Sequence, residues 1–145
     1  MKYLIMAFLS LVLMFTEIEA KAQAITVIVN SSVEVKEMTI QELQEIFTLK
    51  RTYWANGTKI KIFVLPNDSY VARRFIQEVL QLPPTLYFDL VESAYTMGKT
   101  NIPIVVAREE SLVIKIMVNP GSICYTSAPE RQLKIDNVTI IKVIP

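Results

Sequence analysis

KIKIFVLPNDSYVARRFIQEVLQL, residues 59–82, sets a strand and a helix back to back. Lys59 to Leu65 begins with strict alternation and ends apolar, the pattern of a covered strand. Pro66 stops it, having no N–H to give to a ladder. Asn67, Asp68 and Ser69 then offer side-chain acceptors for the first N–H groups of a helix. Val71, Phe75, Ile76, Val79 and Leu80 recur on the inner face of that helix, with Arg73 and Arg74 in its first turns. A strand running straight into a helix is the repeating unit of a layered α/β domain.

The same alternation extends both ways. Upstream, Ile25 to Val29 is a β-branched run that reads as a buried strand, and Asn30-Ser31-Ser32 breaks it. Thr39 and Glu42 form a T-x-x-E capping box, with Met38 and Leu43 at the flanking staple positions. The box predicts a helix over Ile40 to Phe47, with Ile40, Leu43, Ile46 and Phe47 on one face. Downstream, Leu82-Pro83-Pro84 ends one helix and starts another, whose stripe is Leu86, Leu90, Val91 and Ala94 and which Gly98 closes. Ile102 to Ala107 reads as a third strand, set at an edge by Pro103. Glu109 and Glu110 open a fourth helix, with Val113, Ile116 and Met117 inward, and Asn119-Pro120-Gly121 stops it. Ser122 to Thr126 and Val138 to Val143 are two more strands. This order predicts an α/β domain with a mixed, mostly parallel sheet flanked by helices.

Residues Tyr3 to Phe15 stand apart. Only Ser10 is polar among them, Lys2 precedes them, and small residues follow at Ala20, Ala22 and Ala24. This is the pattern of a secretory signal peptide cleaved after Ala22 or Ala24. The run is too short to cross a bilayer, which needs about 20 residues. Residues 1–24 are therefore expected to be removed, leaving one domain over 25–145. Lys2 and Lys21 cancel Glu17 and Glu19, so the net charge stays at +1. A nucleic-acid binder would carry a basic patch or a high pI, so no such partner is expected.

The chain has no histidine and one cysteine, Cys124. Ser-His-Asp and Cys-His catalysis and zinc sites built on His and Cys are excluded. Carboxylate or Ser-Lys chemistry survives that filter, but no pattern points to either. Cys124 lies in an apolar run and reads as a buried, inert thiol. No catalytic residue, cofactor or metal is expected. Lys50-Arg51-Thr52-Tyr53-Trp54 reads either as cations stacked on rings or as a loop pinned by a buried Trp54, the second being the plainer.

In an open α/β sheet, ligands bind beyond the carboxyl ends of strands. Ser31 and Ser32 follow the first strand, and Asp68, Ser69 and Tyr70 follow the second and enter a helix. A helix start presents free N–H groups and partial positive charge, which suit an anion. The Ser69 hydroxyl and the Arg73 guanidinium one turn on could add donors. Caps of Asn, Asp and Ser are also ordinary helix starts that bind nothing.

Three segments carry a family resemblance. Phe47 to Ile60, FTLKRTYWANGTKI, is similar to the IFxGKxxxWxNGxxI segment of bacterial phosphate-binding-protein-like domains. Thr39 to Phe47 resembles the lead-in helix of that family. Asn119 to Tyr125, NPGSICY, resembles its NPGAIGY segment. The resemblance implies one lobe of a periplasmic-binding-protein type II fold, related to the binding component of the phosphate ABC transporter. It also implies that Leu65 to Val71 matches the loop with which such a lobe grips phosphate. Ser69 keeps that loop's serine, while Tyr70 and Val71 replace its glycine and threonine and leave backbone N–H donation intact. A small oxyanion is the implied ligand, and a membrane transporter or envelope protein the implied partner. The chain is little more than one lobe long, so tight capture would call for an oligomer or a second chain. A lobe that lost its ligand and kept a protein-interaction role is the other reading.

Overall fold

The computed structural model describes residues 23–145; the apolar run of the expected signal peptide lies outside them. The strands are β1 (Thr26–Asn30), β2 (Glu37–Thr39), β3 (Lys61–Val64), β4 (Ile104–Val105), β5 (Ser122–Thr126) and β6 (Val138–Ile144). The helices are α1 (Ile40–Phe47), α2 (Tyr70–Arg74, continued as a π-helical turn over Phe75–Val79), α3 (Pro84–Thr96), α4 (Glu109–Val118) and α5 (Glu130–Leu133). One sheet runs in the order β2-β6-β1-β5-β3-β4.

β1 alone runs against the rest. It pairs antiparallel with β5 and β6, while β2 with β6, β3 with β5 and β3 with β4 are parallel. Five strands therefore end at one edge of the domain, and β1 ends at the other. The chain leaves β3 outward to β4 and returns past β3 to β5, so right-handed crossovers place the intervening helices on opposite faces. Side chains of β5 show both faces. Tyr125 stacks on Phe75 at 4.1 Å, and Phe75 meets Phe47 edge-on at 4.7 Å, on the side of α1 and α2. On the other side Ser122 Oγ donates to the Asn119 carbonyl at 2.6 Å, at the end of α4. Among the described residues no helix is long and apolar enough to cross a membrane.

The capping box forms as expected. Glu42 N–H donates to Thr39 Oγ1 at 3.1 Å and Thr39 N–H to Glu42 Oε2 at 2.8 Å. The helix and β5 have the expected bounds. Trp54 pins its loop: it is buried, and its Nε1–H donates to the Gly121 carbonyl at 2.9 Å.

Other expectations change. The third strand shrinks to Ile104–Val105, because Pro103 just before it has no N–H to give and only the Val106 N–H continues the ladder, to Val64 O at 2.7 Å. β2 and α5 were not anticipated, being three and four residues long. In α3 the inner face is Tyr87 and Ala94, with Val91 partly covered. Leu86 and Leu90 instead stand 47% and 43% exposed, about 100° round the helix from that face. In α4 the buried pair is Leu112 and Ile116, with Val113 only partly covered.

Cys124 is fully buried, and burial pushes its thiol up, away from the reactive thiolate. A thiol reagent is therefore expected to leave the native protein untouched at neutral pH and to modify one site after denaturation. Prompt modification in native buffer would contradict this packing.

Candidate functional site

Four helices begin where a strand reaches the shared carboxyl edge: α1 after β2, α2 after β3, α4 after β4 and α5 after β5. Each start presents unpaired N–H groups and partial positive charge. Three of them carry a carboxylate of their own in the first turn: Glu42 in α1, Glu109 and Glu110 in α4, Glu130 in α5. The first turn of α2 has none.

Ser69 is the N-cap of α2, in extended conformation. Its Oγ accepts from the Ala72 N–H at 3.3 Å, and its carbonyl accepts from the Arg73 N–H at 3.1 Å. Its own N–H turns back to the Pro66 carbonyl at 2.9 Å. The Tyr70 and Val71 N–H groups are left without a hydrogen-bond partner among the described residues. Tyr70 is 71% exposed, and Asp68 and Arg73 are exposed beside it. Arg73 Nε reaches the Asn67 carbonyl at 3.4 Å, which holds the guanidinium against the same loop. Asp68, Ser69, Tyr70 and Arg73 thus lie together on one open helix start.

Ser31 and Ser32 lie elsewhere. Because β1 is antiparallel, Asn30 ends beside the beginnings of β5 and β3, at the opposite edge of the sheet from Ser69. Both serines are engaged in holding loops. Ser32 Oγ accepts from the Gly121 N–H at 3.0 Å, and Ser31 Oγ pairs with Thr139 Oγ1 at 3.2 Å. Asn30, buried before them, donates to the Ile116 carbonyl at 2.7 Å and accepts from the Ser32 N–H at 3.0 Å.

Two arrangements near the carboxyl edge were not anticipated. Arg74 is an internal clamp: its side chain is 12% exposed and makes two 3.0 Å bonds to Glu78. Its Nη1 also donates to the Gln23 carbonyl at 2.7 Å, and the Glu78 hydrogen bonds hold the guanidinium pKa above its ordinary value. Glu109 Oε1 accepts from Thr126 Oγ1 at 3.0 Å, from the Ser127 N–H at 2.5 Å and from Ser127 Oγ at 2.6 Å. Gln23, Glu109, Ser127 and Arg131 line a cavity of about 540 Å³ there. Its donors already hold a carboxylate, unlike those of α2. The helix-opening position of Glu109 was legible, but its partners 17 and 18 residues away were not. Among the described residues no three His, Cys, Asp or Glu side chains cluster to hold a metal ion.

No protein-family model matches the chain, and no curated protein sequence matches it. Solved structures do. One from Clostridium perfringens, assigned as a phosphate ABC transporter substrate-binding protein and holding phosphate, superposes with a TM-score of 0.62 at 19% identity, over 83% of this chain and 45% of that one. PstS from Borrelia burgdorferi gives 0.62 at 16% identity, over 83% and 47%. An ABC-type phosphate transport receptor from Vibrio cholerae gives 0.57 at 14% identity, over 83% and 46%. The chain spans about half the length of the structures it matches. It has the fold of phosphate-transporter binding proteins, as the resemblance in its sequence implied.

Proposed function

We propose that the protein binds a small oxyanion of the phosphate type at the start of α2 and catalyses no reaction. One observation carries the reading: among the described residues four helices open at the carboxyl edge, and of these α2 alone has no carboxylate of its own in its first turn. The Tyr70 and Val71 N–H groups and the Ser69 hydroxyl are the donors, and Arg73 adds a cation at the rim. Asp68 suits a ligand that still carries a proton, because it can accept that hydrogen bond. The phosphate-binding proteins that share the fold support the choice of ligand. The reading includes export to the periplasm or beyond through a cleaved signal peptide, and delivery to a membrane transporter or envelope protein. The site is open to solvent, where screening weakens each contact, so the affinity of one chain is modest.

The test is thermal unfolding with phosphate, with sulfate and chloride as controls. A ligand at about 100 times its Kd stabilises the native state by roughly 2.7 kcal/mol, a rise of several degrees. Ser69→Ala removes a cap worth about 1 kcal/mol and reduces the phosphate-dependent rise. Tyr70→Glu gives α2 the carboxylate that the other three starts possess. It is expected to abolish the rise while leaving the fold intact, since Tyr70 is 71% exposed. A rise that survives Tyr70→Glu would remove this site.

The second reading is a protein-interaction module that binds no ligand. The replacement of the family loop's glycine and threonine by Tyr70 and Val71 favours it. Absence of any phosphate-dependent rise would select it.

A further inference from the structure

The cavity beside Ser127 is lined by charges of both signs that do not meet. It lies beyond the end of β5, against α4 and α5, and its volume of about 540 Å³ falls within the range of small-molecule sites. Val113 and Leu133 give it an apolar lining. Glu109 is held rigidly at its wall: Oε1 accepts from Thr126 Oγ1 at 3.0 Å, from the Ser127 hydroxyl at 2.6 Å and from the Ser127 N–H. Its Oε2 has no hydrogen-bond or ion-pair partner among the described residues. Arg131 also lines the cavity, and its guanidinium is in no ion pair among the described residues. A fixed carboxylate and a free guanidinium thus border one space, too far apart to pair with each other. The neighbouring Glu110 is drawn aside toward Arg108, at 3.9 Å.

We propose that this cavity takes a free α-amino acid with an apolar side chain, its ammonium on Glu109 Oε2 and its carboxylate on the Arg131 guanidinium. The two charges select the class of ligand. A simple oxyanion would meet Glu109 and Glu110 with repulsion. A metal ion would face Arg131, and no three acidic, His or Cys side chains cluster among the described residues to hold one. A wholly apolar guest would leave both charges unmet. A zwitterion answers both at once, and the planar guanidinium fork matches a carboxylate in two parallel bonds. The side chain of the guest then lies against Val113 and Leu133. Because three donors already fix Glu109, little of its freedom is left to lose on binding. This inference does not rest on the oxyanion site at α2, whose donors are other residues.

Isothermal titration calorimetry of the protein with leucine tests this, with N-acetylleucine, which lacks the ammonium, and leucinamide, which lacks the carboxylate. The expected result is saturable binding of leucine, weakened about tenfold or more in each analogue. Glu109→Gln keeps a carbonyl oxygen for Ser127 and Thr126 and removes the charge, and Arg131→Gln changes an exposed position. Each is expected to weaken leucine by about tenfold, with the unfolding midpoint of the unliganded protein unchanged. In Arg131→Gln, leucine and leucinamide are expected to bind alike, since the group that tells them apart is gone. No binding of leucine at millimolar concentration would overturn the inference. So would equal affinities for leucine and either analogue in the unaltered protein, a result that needs no variant to fold. Full leucine affinity in Glu109→Gln or in Arg131→Gln would overturn it as well.

Discussion

Gly121→Ala is expected to destabilise the protein by about 3 kcal/mol or more, a fall in unfolding midpoint of roughly 10 °C. Two costs add. Gly121 has φ +76°, where a side chain is strained by about 1–2 kcal/mol. A Cβ there would also stand 2.6 Å from the Lys59 carbonyl oxygen and 2.9 Å from Thr58 Cγ2. The first of these is backbone and cannot swing away. The position is a junction as well. Gly121 O accepts from Trp54 Nε1 at 2.9 Å and from the Lys61 N–H at 3.1 Å, while its N–H donates to Ser32 Oγ. Displacing it loosens the Trp54 loop, the start of β3 and the turn after β1 together. Urea unfolding gives the measurement, read as a lower midpoint with an unchanged slope. A loss below about 1 kcal/mol would mean that the turn relaxes in a way the packing around Lys59 does not allow.

Phe75→Ala is expected to cost about 3–5 kcal/mol. The ring is 1% exposed and joins α1, α2 and β5 through its contacts with Phe47 and Tyr125. Its removal leaves a cavity between two aromatic faces that cannot close without moving a strand. It also loosens Tyr125, whose hydroxyl oxygen accepts from the buried Leu65 N–H at 3.0 Å, where the chain leaves β3 for the α2 start. Phe75→Leu, which refills most of the volume, is expected to cost less than half as much. Equal losses for the two variants would show that ring stacking, and not filled volume, dominates. Against a total stability of roughly 5–15 kcal/mol, Phe75→Ala leaves a marginal fold at best.

Where signals were local, the sequence was legible. The Thr39–Glu42 box places α1 because both partners lie within one turn. Gly121 and Pro120 bound α4 and β5 for similar reasons. Strand direction has no such signal. β1 meets β5 and β6 about a hundred residues along the chain, and Val27 looks the same whether its neighbour runs with it or against it. That one reversal separates Ser31 and Ser32 from Ser69. The stripe of α3 was half legible, for a different reason: Ala94 and Val91 pack inward, and Leu86 and Leu90 do not. Leu86–Leu90 and Tyr87–Ala94 both recur at helical spacing, and only the packed structure shows which of the two meets the core.

The candidate site itself was half visible. Ser69 as cap and Arg73 one turn on follow from residues 66–73 alone. The absence of acid from the first turn of α2 is also plain in the sequence, but it gains meaning only when four helix starts share one edge. Arg74 reads as a surface cation. Glu78 lies one turn on in the same helix, but the Gln23 carbonyl that completes the clamp is 51 residues away.

The central claim is that the open N–H groups of α2 hold an oxyanion. The most direct measurement is a phosphate titration followed by amide resonances of the labelled protein. The account predicts saturable shifts at Tyr70, Val71 and Ser69, absent with chloride and lost in Tyr70→Glu, with the amides of Ser31 and Ser32 unmoved. No shift at Tyr70 and Val71 in millimolar phosphate, or saturable shifts centred on Ser31 and Ser32, would contradict it.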